Sequence, residues 1–272
     1  MNTHKEILSK EDPRIQEEYI AELLATISHE LRSPLTSIKG YAATLLRHEQ
    51  HLSAEERHSF LQAIAERTDQ LEAMVNRFLL LTQLESGNYT FHPEPLSSLP
   101  LLQRSLQTYA NDTAETQRFS LFVADHFREG LLINGDRSLL MLLFQELFDN
   151  AIQHTPAGSP ILVTLKPGEP LESQPSIEIQ IQTKEGFISP EHLHLIFQRF
   201  YRVDTSLTRT ARGLGVGLAL CQHIIYLHQG TIWAESDPHS GCTFHITLPV
   251  TEGDQQETGR THARKEDNHP GR

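Results

Sequence analysis

The sequence predicts an α+β chain in two parts, a helical hairpin at the N-terminus and an α/β sandwich after it. Three observations carry this expectation. Between Ile20 and Leu81, apolar residues recur at three- and four-residue steps through two long stretches. From Phe119 onward, short β-type runs alternate with helical segments, the mixture expected of a sheet with helices on one face. Between the two textures, prolines cluster at positions 93, 95 and 100.

Residues 1–18 are polar and contain Pro13, and they read as a frayed lead-in with no space for a ligand-sensing domain. The hairpin occupies 19–90. Its first helix runs to about His48, with Ile20, Leu23, Leu24, Ile27, Leu31, Leu35, Ile38, Tyr41 and Leu45 on one face. Pro34 lies inside it, where a proline removes one backbone bond and bends the helix. Glu49 to Ser53 form a turn, and Ser53 followed by Glu56 is a capping box that starts the second helix. Phe60, Ile64, Leu71, Met74, Val75, Phe78 and Leu81 form its stripe, and Gly87 stops it. One hairpin cannot cover so long a seam. The seam packs either on a second copy, as a four-helix bundle, or on the second domain, and the pattern alone does not choose.

The second domain occupies 91–250. After a proline-marked linker, a helix is expected from Leu101 to about Thr116, then strands at Phe119–Val123 and Leu131–Ile133. Asp136 caps a helix that reaches His154. Strands follow at Ile161–Leu165 and Ile177–Gln182, joined by a loop over 166–175. Next come a helix over Pro190–Arg202, a polar stretch Val203–Arg212, and a helix from Gly215 to His228 capped by Gly230. Strands at Thr231–Glu235 and Thr243–Leu248 close the domain. Residues 251–272 are polar, lack periodicity, and read as a disordered tail.

The composition sets outer limits. A chain of 272 residues with 38% hydrophobic residues suits two domains with adequate cores. Mean hydropathy is -0.38, and no apolar run approaches the roughly 18 residues of a membrane span. The N-terminus shows no apolar signal region, so the expected location is the cytoplasm unless another subunit tethers the chain. A net charge of -12 argues against a nucleic-acid surface. Cys221 and Cys242 form neither a metal pattern nor a disulfide framework and read as packing residues.

The chemistry centres on residues 27–40, I-S-H-E-L-R-S-P-L-T-S-I-K-G. His29 lies two residues from both Ile27 and Leu31, which turns it to the solvent side, with Glu30 beside it. An exposed imidazole with a carboxylate neighbour can shed a proton and attack an electrophile, although the pair alone also suits an ordinary solvated surface. Further on, Glu146, Asn150, Gln153 and His154 share one stripe of the Asp136 helix. An amide and a carboxylate one turn apart can hold hydrated Mg²⁺ and phosphates. Residues 213–218, G-L-G-V-G-L, open a helix where glycines permit close approach and free N–H groups meet anions.

In this order the motifs resemble the sensor histidine kinases of two-component systems, over roughly residues 19–250. H-E-L-R-S-P-L resembles that family's H-box, and E-L-F-D-N-A-I-Q-H-T-P resembles its N-box, shared with the wider GHKL ATPases. The resemblance implies a homodimer, in which the hairpin is half of a dimeric four-helix bundle. It implies that His29 takes the γ-phosphoryl group of ATP with Glu30 as base, and that a response-regulator receiver domain is the next acceptor. Ser33 stands where the family places the Thr or Asn of its reverse, phosphatase-type reaction. Asn150 matches the residue that orients Mg²⁺. Glu146, where Asn is common, serves as a second magnesium-side ligand or a base. Gln153 stands where the family carries a cation, and so cannot supply charge to phosphate. His154 follows in the same box. Gly213, Gly215, Gly217 and Leu218 resemble the second glycine box, and Phe197 and Phe200 the F-box at the base of a lid. That lid includes Arg209 and Arg212, which can reach phosphates. A separate protein carrying the sensor is an implied partner.

One box departs from the family. Where the family has D-x-G-x-G, this chain reads Thr183, Lys184, Glu185, Gly186 and Phe187. A threonine hydroxyl accepts a hydrogen bond from adenine more weakly than a carboxylate. Losing one charge-assisted bond costs roughly 1.5–3 kcal/mol, about one to two decades of affinity. Phe187 also competes for space with the base. The alternative expectation is therefore a degenerate kinase, a dimeric phosphoacceptor or regulator-binding module with weak or no ATP binding.

Overall fold

The computed structural model describes residues 13–109, 118–125, 131–203 and 214–251. Of the expected lead-in over 1–18, residues 1–12 lie outside the described residues and 13–18 belong to the first helix. Residues 252–272 of the expected tail, and the lid with Arg209, Arg212 and Gly213, also lie outside the described residues.

The hairpin pairs α1 (Pro13–His48) with α2 (Ala54–Glu85). Pro34 is buried within α1 and leaves the Glu30 carbonyl without its helical donor. Ser53 closes the capping box in both directions. Its Oγ accepts from the Glu56 N–H at 3.1 Å, and its own N–H donates to the Glu56 carboxylate at 2.8 Å. At the far end Gly87 takes φ 69°, and the Asn88 N–H donates to the Gln83 carbonyl at 2.9 Å, a Schellman stop. Tyr41 meets Phe60 across the hairpin at 5.8 Å between ring centroids. Leu35 and Val75, placed on the buried stripes by the sequence, are exposed in the single chain, as are Leu46, Leu61 and Leu79.

The second part is an α/β sandwich. A five-stranded sheet runs in the order β2-β4-β5-β7-β6, with β2 (Phe119–Val123), β4 (Ile161–Leu171), β5 (Gln174–Thr183), β6 (Thr231–Asp237) and β7 (Gly241–Pro249). Only β2 and β4 are parallel. α4 (Arg137–Gln153) lies in the connection between them and packs against β5, and α6 (Gly217–Leu227) packs against α4 and β6. Alternation places Ile161, Val163, Leu165, Ile177, Ile179 and Ile181 in the core, with Thr164, Lys166, Glu178, Gln180, Gln182 and the exposed Leu162 on the other face. Leu81 and Leu84 of α2 join this same core.

Five local expectations are corrected. The proline-marked linker contains β1 (Glu94–Ser97), antiparallel to β3 (Leu132–Gly135), and α3 (Ser98–Gln107) starts at once after it. Pro95 fits because this is a two-stranded ribbon with a free edge. α3 ends at Gln107, short of the expected Thr116. The expected loop over 166–175 is instead a continuation of β4 and β5 into a hairpin, turned by Glu172 and Ser173 at φ 46° and 72°. β2 pairs as far as Leu165, so among the described residues Pro167 and Pro170 sit where β4 has no second neighbour. The expected helix over Pro190–Arg202 is a single turn, α5 (Pro190–Leu193). Beyond it, Phe200 adopts φ 65° and donates its N–H to the Gly215 carbonyl, which a continuing helix could not do. Finally, the left-handed stop of α6 is Gln229, at φ 58°. Gly230 is small because a Cβ there would lie 2.2 Å from the Thr247 carbonyl oxygen.

Candidate functional site

Asp136 builds the first wall. Its Oδ1 accepts from the N–H groups of Ser138 and Leu139 at 3.0 and 3.2 Å, as an N-cap should. Its Oδ2 accepts from the His92 N–H and the Tyr89 hydroxyl. Burial pushes this carboxyl up, but the four donors outweigh burial and leave it below its ordinary 3.8. With α4 fixed, Leu140, Leu143 and Leu147 face the core. Glu146, Asp149, Asn150, Gln153 and His154 line a cavity of about 1150 Å³. That volume is on the scale of small-molecule sites, roughly 300–1,000 Å³.

The second wall is the start of α6. Val216 makes no side-chain cap, so the first-turn N–H groups at Gly217 and Leu218 are available to an anion. The glycines here make room for protein rather than only for a ligand. A Cβ on Gly215, at φ 67°, would meet Phe200 at 3.0 Å, and one on Gly217 would meet Glu146 Oε2 at 2.6 Å.

The third wall follows β5. Thr183 is buried, and its hydroxyl donates to the Glu185 carbonyl at 2.9 Å with the Cys242 carbonyl at 3.3 Å. Gly186, Phe187 and Ile188 continue this wall, and Phe187 is exposed there. Cys242 lines it too, and burial pushes its thiol up to about 12, as suits a packing residue. Cys221 is also buried.

The hairpin supplies the fourth wall through α2. Arg77 is ion-paired with Glu146 and stands 3.6 Å from Asp149. Glu146 is only 8% exposed, and burial raises its pKa above the ordinary 4.5 in spite of Arg77. Glu146, Asp149 and Asn150 are the oxygen donors a hard divalent cation takes, so the donor set fits Mg²⁺ once Arg77 yields the carboxylates. His154 is held below its ordinary 6.5 by burial and by Arg202.

The other sequence-predicted residues lie outside the cavity lining. His29 is 81% exposed on α1, with Nδ1 3.7 Å from Glu30 Oε1. Glu30 in turn lies 3.4 Å from Arg202, which does line the cavity. Ser33 is half-buried, its carbonyl accepting from the Ser37 hydroxyl. Phe197 packs edge-on to Phe244 in the core, and Phe200 meets Phe78 of α2 at 6.4 Å. Arg77, Asp149 and Arg202 were not singled out by sequence reasoning. Arg77 reaches the site only through the packing of hairpin on sandwich, whereas Asp149 and Arg202 belong to the sandwich that carries the cavity.

Comparison with known proteins places these features in context. Residues 19–87 match the family model described as His Kinase A (phospho-acceptor) domain. Residues 135–252 match that of the histidine kinase-, DNA gyrase B- and HSP90-like ATPases. The chain is 32% identical over 235 residues to the drug sensory protein A of Synechocystis, covering 85% of this chain and 35% of that protein. It is 26% identical to the sensor histidine kinase WalK of Bacillus subtilis, covering 85% and 37%. The chain thus spans about a third of the length of these relatives. The crystal structure of histidine kinase ThkA in complex with response regulator protein TrrA shares the fold. Its TM-score is 0.63 at 21% identity, covering 88% of this chain and 64% of that one.

Proposed function

Because the chain belongs to the sensor histidine kinases of two-component systems, we propose that it phosphorylates itself on His29 from Mg-ATP and passes the phosphoryl group to an aspartate of a response-regulator receiver domain. One observation carries the reading. Arg202 both lines the cavity and reaches Glu30, the neighbour of His29, so the nucleophile's turn of α1 stands at the cavity rim.

His29 presents Nδ1 to Glu30 and leaves Nε2 outward as the nucleophile. A bond forms between Nε2 and the γ-phosphorus as the bond from that phosphorus to the bridging oxygen of ADP breaks. Glu30 takes the Nδ1 proton, so the phosphorylated ring ends neutral. Such transfers depend mainly on positioning and on neutralising charge. Mg²⁺, when bound, neutralises phosphate oxygens, and Asn150 with Glu146 would hold it. The first-turn N–H groups of α6 would receive phosphate oxygens. Ser33, one turn beyond His29, is proposed for the reverse reaction on the regulator.

The exposed Leu35, Leu46, Leu61, Val75 and Leu79 of the hairpin support pairing with a second copy. The ThkA complex supports the partner class, being a relative seen with a response regulator. Incubation with labelled ATP and Mg²⁺ tests the reading. Acid-labile, base-stable label that disappears in His29→Ala is expected, and label that persists in that variant overturns it. Thr183 and the Arg77 hold on Glu146 favour a second reading, a phosphoacceptor module without ATP turnover. Calorimetry showing no nucleotide binding would select it.

A further inference from the structure

We propose that the base end of the cavity does not separate adenine from guanine, so that this chain takes purine nucleoside triphosphates as a class. The proposal rests on the kinase reading above. Along α4 the cavity has two ends. Glu146 sits against Gly217 at the anion-binding start of α6. His154, whose carbonyl is 3.1 Å from where a Gly186 Cβ would be, marks the other. Eight residues separate them, about 12 Å at helical rise, the reach from a triphosphate to its base.

At the second end the β5 wall is Thr183, Gly186, Phe187, Ile188 and Cys242, an apolar slot with one hydroxyl on its floor. Among the described residues no carboxylate enters this wall. Glu185 is exposed and outside the lining. A carboxylate would accept from the exocyclic amine of adenine and repel the carbonyl oxygen that guanine carries at the same place. A hydroxyl has one proton and two lone pairs and serves either partner by rotating. The Thr183 proton now points to the Glu185 carbonyl, which leaves a lone pair toward an amine. Turning it toward a carbonyl gives up the neutral hydrogen bonding to the Glu185 and Cys242 carbonyls.

The test is equilibrium binding of Mg-ATP and Mg-GTP to the full chain. The two dissociation constants should agree within about tenfold, and Thr183→Asp should widen their ratio at least about tenfold in favour of ATP. Thr183→Val, which keeps the volume and removes the hydroxyl, should weaken both by a similar factor, and it serves if the Asp variant does not fold. A native preference for ATP beyond tenfold overturns the proposal, as does an unchanged ratio in Thr183→Asp or an unaltered pair of affinities in Thr183→Val. Binding of neither nucleotide overturns the kinase reading and this proposal with it, whereas binding of ATP alone overturns only the proposal.

Discussion

His228 closes the end of α6 against the start of α4. Its Nε2 accepts from the Asp136 N–H at 2.9 Å, so Nδ1 carries the proton and donates to the Ile224 carbonyl at 2.7 Å. Phe91 meets the ring edge-on at 5.0 Å, and Gly135 is bare because a Cβ there would lie 2.9 Å from the imidazole. Burial holds this histidine below its ordinary 6.5, outweighing the Ile224 bond and the Asp136 charge, and His154 is shifted the same way. Below pH 6.5 the unfolded chain therefore binds protons that the folded chain refuses. The stabilisation is complete above that value and is lost as pH falls. Denaturant unfolding between about pH 7.5 and pH 5.5 should show stability falling on acidification, with a shallower slope in His228→Gln, whose amide can mimic both bonds. An equal slope would exclude this residue as a contributor.

At the scale of elements, the end of α2 is where hairpin and sandwich meet. Arg77 holds Glu146 and approaches Asp149, and Phe78 meets Phe200. Glu85 bonds Arg199 at 2.8 Å and stands 3.8 Å from His223. Arg77 thus occupies the carboxylates that a bound cation would need, so under the proposed Mg²⁺ binding the α2–α4 contact would compete with metal loading. Arg77→Ala should leave Glu146 buried without its partner and loosen α4 from α2. Faster amide exchange is expected around residues 70–80 and 146–150, while the sheet core keeps its protection. Unchanged exchange would mean that the apolar contacts hold the two parts without this pair.

For the whole molecule, much was legible because it depends on local periodicity. The alternation in Ile177–Gln182 and the spacing of Ser53 and Glu56 each fix an element from neighbouring residues. What escaped depends on partners distant in sequence. Pro95 and Pro167 read as breakers, yet both lie in strands with one edge unpaired at that point among the described residues, a property of the sheet rather than of the segment. The backbone turn at Phe200, which keeps helix from reaching Arg202, involves a bond to Gly215 across an intervening stretch. The exposed ring of His29 and the polar stripe of α4 followed from helical phase alone. Arg77 became part of the site only through the docking of one half of the chain on the other, as did the contact of Arg202 with Glu30.

That docking combines two kinds of grip. Leu81 and Leu84 are sunk in the core, whereas the charges at Arg77, Glu85, Arg199 and Arg202 reach water. Dissolved ions weaken exposed charge pairs, the screening length being about 10 Å at 0.1 M salt, but they leave buried leucines in place. The chain thus has a bearing that stays seated and latches that ionic strength releases. In strong salt, solution scattering should report a sandwich that swivels on its stalk without coming off it.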